Sequence, residues 1–168
     1  MSNIITLFTD ASFCNKTKAA AWAAHAQYAD DVLKVSARLA INLENPYMAE
    51  FYALYEGISF ALHAFKPERG SKIVAYTDCI GIIHALNGIY RVRPFAKCHT
   101  ERRQLISKIN HALETFGAEA EYRHVKAHSE NEDGCSETNA WCDTHSRIVM
   151  RTIRAEIYQQ HKEKSCQQ

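Results

Sequence analysis

The sequence has little of what marks a disordered, secreted or membrane-spanning protein. It contains only 6 glycines and 3 prolines in 168 residues, while 46% of the residues are hydrophobic, which is enough for one domain with a full-sized core. No stretch is long and apolar enough to cross a bilayer. The first residues lack the basic-then-apolar pattern of a secretory signal. We therefore expect a monomeric, cytoplasmic protein that has no membrane partner.

The six cysteines contain no CxxC pair, which is the spacing typical of zinc and redox sites. In a chain without a secretory signal they are expected to be free thiols. The nearest approach to a zinc pattern is Cys135, Cys142 and His145. Two histidines, His124 and His128, precede it, but the wide cysteine spacing makes a zinc site the less favoured interpretation.

Excess charge of one sign is also lacking, since the net charge is only +1. The distribution of charge is more informative, because residues 91–108 contain six basic residues and one acidic residue. Such a segment can neutralise phosphates by releasing their counterions, although a solvated helix face would give the same pattern. The candidate phosphate-binding residues are Arg91, Arg93, Lys97, Arg102 and Arg103.

What the sequence does contain is a pair of predicted strands that end in the same way. Residues 4–10 and 72–78 are each a short β-branched and apolar run that finishes in Thr-Asp. If the strands are parallel neighbours, their carboxyl ends lie at the edge where open α/β sheets bind ligands, so Asp10 and Asp78 should converge. Either aspartate taken alone could equally be a turn former or a helix cap.

A third acid, Glu50, lies on the apolar stripe of a predicted helix. A lone carboxylate on a buried face costs roughly several kcal/mol unless it has a cation, a hydrogen-bond network or a proton. One of the arginines could supply the cation. Small residues on the same stripe would let the helix approach the sheet closely and bring its glutamate toward the two aspartates. The stripe consists of Ala53, Leu54, Gly57, Ile58, Ala61 and Leu62.

A fourth acid, Asp143, lies in the early turns of a long predicted helix from about residue 136 to 160, whose apolar positions are Val149, Ile153 and Ile157. Its position alone does not single it out. A shared metal site explains all four acids together. Without it, a separate explanation such as a turn, a helix cap or a pair with an arginine would have to hold for each acid. Carboxylate oxygens are hard ligands, and they select Mg²⁺ or Mn²⁺ over zinc.

At these positions the chain resembles the type 1 ribonuclease H family. The motifs occur in the family's order, from about residue 4 to about 150. They are Phe8-Thr9-Asp10-Ala11-Ser12, Ala49-Glu50-x-x-Ala53-Leu54, Tyr76-Thr77-Asp78, Val125-Lys126-Ala127-His128 and Asn139-x-x-Cys142-Asp143-x-x-Ser146-Arg147.

The resemblance implies an endoribonuclease that hydrolyses the RNA strand of RNA/DNA hybrids. In that family the acids at the positions of Asp10, Glu50, Asp78 and Asp143 bind two Mg²⁺ ions, for which Mn²⁺ can substitute. A histidine at the position of His128 assists catalysis or product release. Two such cations about 4 Å apart can activate the attacking water and stabilise the leaving oxygen. Asp10 is the candidate to bridge both ions.

The chain departs from the family pattern next to two of the acids. Family members usually carry Asn, Ser or Thr shortly before the helix glutamate, where this chain has Pro46 and Tyr47. A polar pair often follows the second aspartate, where this chain has Cys79 and Ile80. The residues that distinguish RNA from DNA are therefore not identified by the sequence. Further candidates for nucleic-acid contacts are Ser12, Asn15 and Asn45.

The expected fold is a single α/β domain, a five-stranded mixed sheet flanked by helices, over residues 1–160, followed by a polar, frayed tail at 161–168. The predicted strands are 4–10, 20–28, 32–41, 72–77 and 119–125, and the predicted helices before the terminal one are 47–65, 79–87 and 100–116. Two other functions remain open. One is a catalytically silent nucleic-acid-binding or interaction domain with this fold, and the other is a related metal-dependent DNA nuclease.

Overall fold

The computed structural model of the protein describes residues 3–89, 98–125 and 134–166. Its five-stranded sheet has the order β3-β2-β1-β4-β5. Strand β1 is antiparallel to β2 and parallel to β4, so the predicted mixed sheet is confirmed. The strands are β1 (Ile4–Phe13), β2 (Ala20–Tyr28), β3 (Asp31–Arg38), β4 (Lys72–Thr77) and β5 (Glu119–His124). The helices are α1 (Pro46–Phe65), α2 (Ile80–Leu86), α3 (His99–Phe116) and α4 (Gly134–Cys166).

Strand β1 is longer than the sequence predicted, because it continues three residues past Asp10. Its parallel pairing with β4 stops at Phe8 opposite Tyr76, whereas its antiparallel pairing with β2 continues to Phe13 opposite Ala20. The Thr-Asp pattern therefore marks the point where β1 and β4 separate, and not the end of β1. Asp10 lies at this point, which is where open α/β sheets generally bind ligands.

Helix α4 is also longer than expected and ends at Cys166. No glycine or proline interrupts it after Gly134, and its last turns contain the good helix formers Lys162, Glu163 and Lys164. Residues 158–165 are exposed, and fraying of 161–168 stays a prediction. None of the described helices has the length and apolar content needed to cross a membrane.

The helices cover both faces of the sheet. Helix α1 packs against β1 and β2 on one face with α3 beside it, and α4 packs against β1, β2 and β3 on the other. Successive side chains of a strand alternate between faces. Ile5 and Leu7 of β1 consequently enter the large core under α1, while Phe8 and Asp10 point toward α4.

Gly57 sets the distance between α1 and β1. A Cβ atom on Gly57 would lie 2.5 Å from Cγ2 of Thr9, the residue before Asp10. Thr9 is only 1% exposed, so its methyl group has little room to move aside. The glycine therefore lets α1 approach the sheet closely, as the small residues of its stripe predicted.

Gly57→Ala should lower the free energy of unfolding by roughly 1–3 kcal/mol because of overpacking. The higher helix propensity of alanine should offset about 1 kcal/mol of this loss. Urea denaturation measures the change. Thr9→Ser is the matched background, since it removes Cγ2 and keeps the hydroxyl. In that background Gly57→Ala should be close to neutral or stabilising, and an equal cost in both backgrounds would contradict this contact.

Candidate metal centre

Three acidic side chains converge where β1 and β4 separate. Ligand oxygens of Asp10, Glu50 and Asp78 all lie within 4.8 Å of one another. Asp10 is only 4% exposed, and the other two are partly buried. The acids therefore meet as the strand and helix patterns predicted, while their role as ligands stays a prediction.

Glu50 is positioned by the first turns of α1. Asn45 caps this helix, because its Oδ1 accepts a hydrogen bond of 2.9 Å from the Met48 N–H, and Pro46 follows at the first helical position. Glu50 then lies in the second turn, where its Oε2 accepts a hydrogen bond of 3.2 Å from the Ala11 N–H. This bond fixes the carboxylate against β1, directly beside Asp10.

Asp78 follows the last residue of β4, and its surroundings hold the main chain on both sides. His124 Nε2 donates to the Asp78 carbonyl oxygen at 3.1 Å. The Cys79 N–H donates to Thr77 Oγ1 at 3.2 Å, and the Val125 N–H donates to the Thr77 carbonyl oxygen at 3.1 Å. The backbone that carries the Asp78 carboxylate is therefore fixed by β5 and by the start of the next helix.

Asp143 on α4 is not among the described acids that lie within 4.8 Å of one another, but it faces them. Ser146, one turn further along α4, donates to Asp10 Oδ2 at 2.8 Å and also contacts the Asp143 carbonyl oxygen at 3.0 Å. Asp143 Oδ1 lies 2.8 Å from Arg147 Nη2. The structure thus brings three of the four predicted ligands together and places the fourth beside them, paired with an arginine.

Burial dominates the electrostatics of the cluster. The pKa of Asp10 is raised to about 7, mainly by burial and also by the charges of Asp78 and Asp143, against lowering by the Ser146 hydrogen bond and by Arg147. Burial likewise raises the pKa of Glu50 well above its usual value, and the charge of Asp10 adds to this. Carboxylates this close cannot all ionise unless a cation lies among them. In the metal-free protein some of these carboxyl groups therefore stay protonated near neutral pH.

The donor set fits a hard divalent cation such as Mg²⁺ or Mn²⁺, because it consists of buried carboxylate oxygens whose mutual repulsion a cation would relieve. Asn139 adds an unpaired oxygen nearby. It lies one turn before Asp143 on the same face of α4, and within the described part of the chain its buried Oδ1 has no hydrogen-bond partner. A buried unpaired acceptor costs about 1–3 kcal/mol, so it favours a water or ligand at this place.

The described residues of the zinc pattern do not assemble into a metal site. Burial raises the pKa of the Cys142 thiol to about 12, and its Sγ lies 3.6 Å from the Phe8 carbonyl oxygen. His145 Nδ1 donates to the Trp141 carbonyl oxygen at 2.8 Å. Among the residues described, no cysteine or histidine joins a group able to hold a metal. The described thiols are free, as predicted, at Cys14, Cys79, Cys98, Cys135 and Cys142.

The predicted nucleic-acid contacts fall in different places. Ser12 lies on β1 two residues after Asp10 and so on the same face. Asn15 is exposed in the turn that joins β1 to β2. Asn45 already uses its side-chain oxygen as the cap of α1. Four predicted residues lie outside the described ones: Arg91, Arg93, Lys97 and His128.

Arg102 and Arg103 are neighbours in sequence but not equivalent, because adjacent helix residues point in different directions. Arg103 is exposed, whereas Arg102 is only 9% exposed and its guanidinium lies near the Tyr47 hydroxyl. Its Nη2 has no hydrogen-bond partner within the part of the chain described. The sequence placed both in one cationic surface, but Arg102 faces the protein interior and joins α3 to the start of α1.

A second link between α3 and α1 lies beside the first. The Tyr52 hydroxyl donates to Glu101 Oε1 at 3.1 Å. The two tyrosines flank Glu50 in the sequence, so α3 holds the segment of α1 that carries this acid. Sequence reasoning missed both links because the partners are about fifty residues apart. It also missed the role of Ser146, although the spacing of three residues from Asp143 was a signal.

The sequence of this chain matches the RNase H family model over residues 2–151. No curated protein sequence matches it. RNase H1 from the halophilic archaeon Halobacterium salinarum NRC-1 is 15% identical, with a TM-score of 0.66, over 89% of this chain and 98% of that one.

Two further solved structures are similar at the same level. One is the N-terminal RNase H domain of Rv2228c from Mycobacterium tuberculosis, fused to maltose binding protein, at 15% identity and a TM-score of 0.68, over 91% of this chain and 97% of that one. The other is LC11-RNase H1 in complex with RNA/DNA hybrid, at 16% identity and a TM-score of 0.68, over 89% of this chain and 98% of that one. These likenesses show a shared fold. Because the family match spans the whole sheet and includes all four acids, the chain belongs to the RNase H family.

Proposed function

We propose that the protein is a metal-dependent endoribonuclease that hydrolyses the RNA strand of RNA/DNA hybrids. The observation that carries this proposal is the convergence of Asp10, Glu50 and Asp78 in a chain of the RNase H family. The complex of LC11-RNase H1 with RNA/DNA hybrid supports the substrate class. Recognition of the RNA strand would rest on its 2′-hydroxyl groups in the minor groove of the hybrid.

The acids would hold two divalent cations, one through Asp10, Glu50 and Asp78 and one through Asp10 and Asp143. Bound there, Mg²⁺ would activate the attacking water and stabilise the leaving oxygen. Asp10 and Glu50 must lose their protons before they can serve as ligands. The protein has therefore to exchange protons for metal at this site.

The protein's own groups orient these ligands beforehand. Ser146 fixes Oδ2 of Asp10, the Ala11 N–H fixes Oε2 of Glu50, and His124 fixes the main chain at Asp78. Partners of this kind hold a ligand in place and tune its basicity, and losing one typically lowers metal affinity or activity about 10- to 100-fold.

Two proposed roles concern residues outside the described ones. His128 would assist turnover without binding metal, because an imidazole changes its charge near neutral pH and can pass a proton. Arg91, Arg93 and Lys97 would contact phosphates of the hybrid together with the exposed Arg103.

The proposal is tested by incubating the protein in Mg²⁺ with labelled RNA/DNA hybrid, double-stranded RNA, single strands and duplex DNA. We expect cleavage of the RNA strand of the hybrid alone, and its loss when a chelator removes the metal. Binding of the hybrid without cleavage would identify a catalytically silent domain. Cleavage of duplex DNA would identify a DNA nuclease, and either result overturns the proposal.

The two neighbouring arginines of α3 should respond differently to alanine. Arg103→Ala should change the free energy of unfolding by less than about 0.5 kcal/mol and lower the salt slope of hybrid binding by about one. Arg102→Ala should cost about 1–3 kcal/mol of stability, because a side chain that is only 9% exposed is lost where α3 packs against α1. Thermal denaturation and binding measured over a range of salt concentrations separate the two effects. An unchanged salt slope for Arg103→Ala would show that Arg103 does not contact phosphates and that this part of α3 is only a solvated helix face.

A further inference from the structure

The acids of the candidate site are compensated in two different ways. Asp10 and Glu50 are buried and accept hydrogen bonds from Ser146 and Ala11. Asp143 instead forms an ion pair, with its Oδ1 2.8 Å from Nη2 of Arg147. The two residues lie four apart on α4, a spacing at which side chains on a helix meet. The guanidinium of Arg147 is therefore paired with Asp143, the predicted ligand that lies apart from the other three.

Arg147 is also close enough to act on the rest of the cluster. Ser146, the residue before it, links Asp10 Oδ2 to the Asp143 carbonyl oxygen. Arg147 therefore lies next to a side chain that contacts two of the acids, and its guanidinium contacts one of them directly. In the metal-free protein Arg147 thus neutralises part of the negative charge around Asp143.

The pair is built so that it can open. The Arg147 side chain is 49% exposed and the Asp143 side chain is 21% exposed, so the guanidinium can be rehydrated when it leaves the carboxylate. Pairs with this degree of exposure contribute little free energy and are weakened by salt. A divalent cation carries twice the charge of a guanidinium and can compete for the same oxygen.

We propose that Arg147 is a displaceable internal cation, which holds and neutralises Asp143 in the metal-free protein and competes with a divalent ion for this carboxylate. The inference rests on the proposed function, because it takes Asp143 as a metal ligand. Arg147 is a positioning residue in this role. It keeps the Asp143 carboxylate oriented, and it weakens metal binding there by the strength of the pair.

Arg147→Gln should tighten the binding of Mg²⁺ at the position that includes Asp143 about two- to fivefold, the range that corresponds to opening one exposed ion pair. Calorimetric titration with Mg²⁺ alone measures this without any substrate. Arg147→Lys, which keeps the charge, should bind Mg²⁺ close to wild type. Arg151→Gln is the matched control, since Arg151 is exposed one turn further along α4 and its loss removes the same charge.

A double-mutant cycle makes the test specific. In an Asp143→Asn background, Arg147→Gln should no longer change Mg²⁺ affinity, because the competition is already gone. In the wild type, the Nε–Hε resonance of Arg147 should shift as Mg²⁺ is added, whereas that of Arg151 should not.

Equal tightening by Arg147→Gln and Arg151→Gln, or the same effect of Arg147→Gln in the Asp143→Asn background, would overturn the inference. Hybrid cleavage by the wild type with no change in Mg²⁺ affinity for Arg147→Gln overturns this inference alone, whereas a wild type that binds no Mg²⁺ overturns the proposed function as well.

Discussion

Asp10→Asn should reduce the cleavage of RNA/DNA hybrid in Mg²⁺ by more than about a hundredfold, because loss of a partner of a metal ligand already costs about 10- to 100-fold and Asp10 is proposed as a ligand itself. The asparagine keeps an oxygen that can accept the Ser146 hydrogen bond, so the fold and the binding of hybrid should persist. Asp31→Asn, at the exposed start of β3, is the control that removes an acid outside the site. Near-normal cleavage by Asp10→Asn would contradict the proposed metal site.

The same substitution should make the metal-free protein more stable at about pH 8. There the wild type carries a buried charge at Asp10 beside Asp78 and Glu50, and the substitution removes this repulsion. At about pH 4 Asp10 is protonated in the folded protein, since its pKa is raised to about 7, and it is also partly protonated in the unfolded chain, since its ordinary pKa is 3.8, so the two proteins should be close in stability. Thermal denaturation in chelator at both pH values measures the difference. A less stable variant at pH 8 would show that Asp10 supports the fold and does not strain it.

The sequence predicted the convergence of three acids because each of them was tied to a local pattern. Asp10 and Asp78 followed β-branched apolar runs, and Glu50 lay on a helical apolar stripe. Such patterns place a side chain on a face or at an end of an element, and the topology of the sheet then brings the ends together. Proximity of the three therefore required only that the strands be parallel neighbours, which β1 and β4 are.

The partners of the acids could not be predicted in the same way. Ser146 and Asp10 are 136 residues apart in the sequence, and the bond between them depends on how α4 crosses the sheet. The burial of Arg102 depends on the packing of α3 against α1, which a count of charges along the sequence ignores. The extension of β1 past Asp10 depends on β2, which continues to pair with it after β4 has ended. All three features come from tertiary contacts that local periodicity does not encode.

The affinity for Mg²⁺ should rise steeply between about pH 6 and about pH 8, up to about tenfold per pH unit for each proton that the metal displaces. Asp10, with its pKa raised to about 7, supplies one such proton, and Glu50, whose pKa is also raised, supplies another. Calorimetry in two buffers of different ionisation enthalpy counts the protons released. In Asp10→Asn one proton fewer should be released, and the slope against pH should be smaller.

The stability of the metal-free protein should change in the opposite direction. Asp10 has a folded-state pKa of about 7, above its ordinary value of 3.8, so the folded protein holds a proton that the unfolded chain releases. This contribution to stability is fully present below about pH 4 and is lost as the pH rises through about 7. The free energy of unfolding of the wild type relative to Asp10→Asn should therefore fall over this range, by an amount on the order of a few kcal/mol.

Saturating Mg²⁺ should reverse the trend above about pH 7, because the metal binds the ionised carboxylates of the folded state. Metal affinity that does not vary with pH would show that these acids are already ionised, and it would contradict the account of burial as the cause of their raised pKa values.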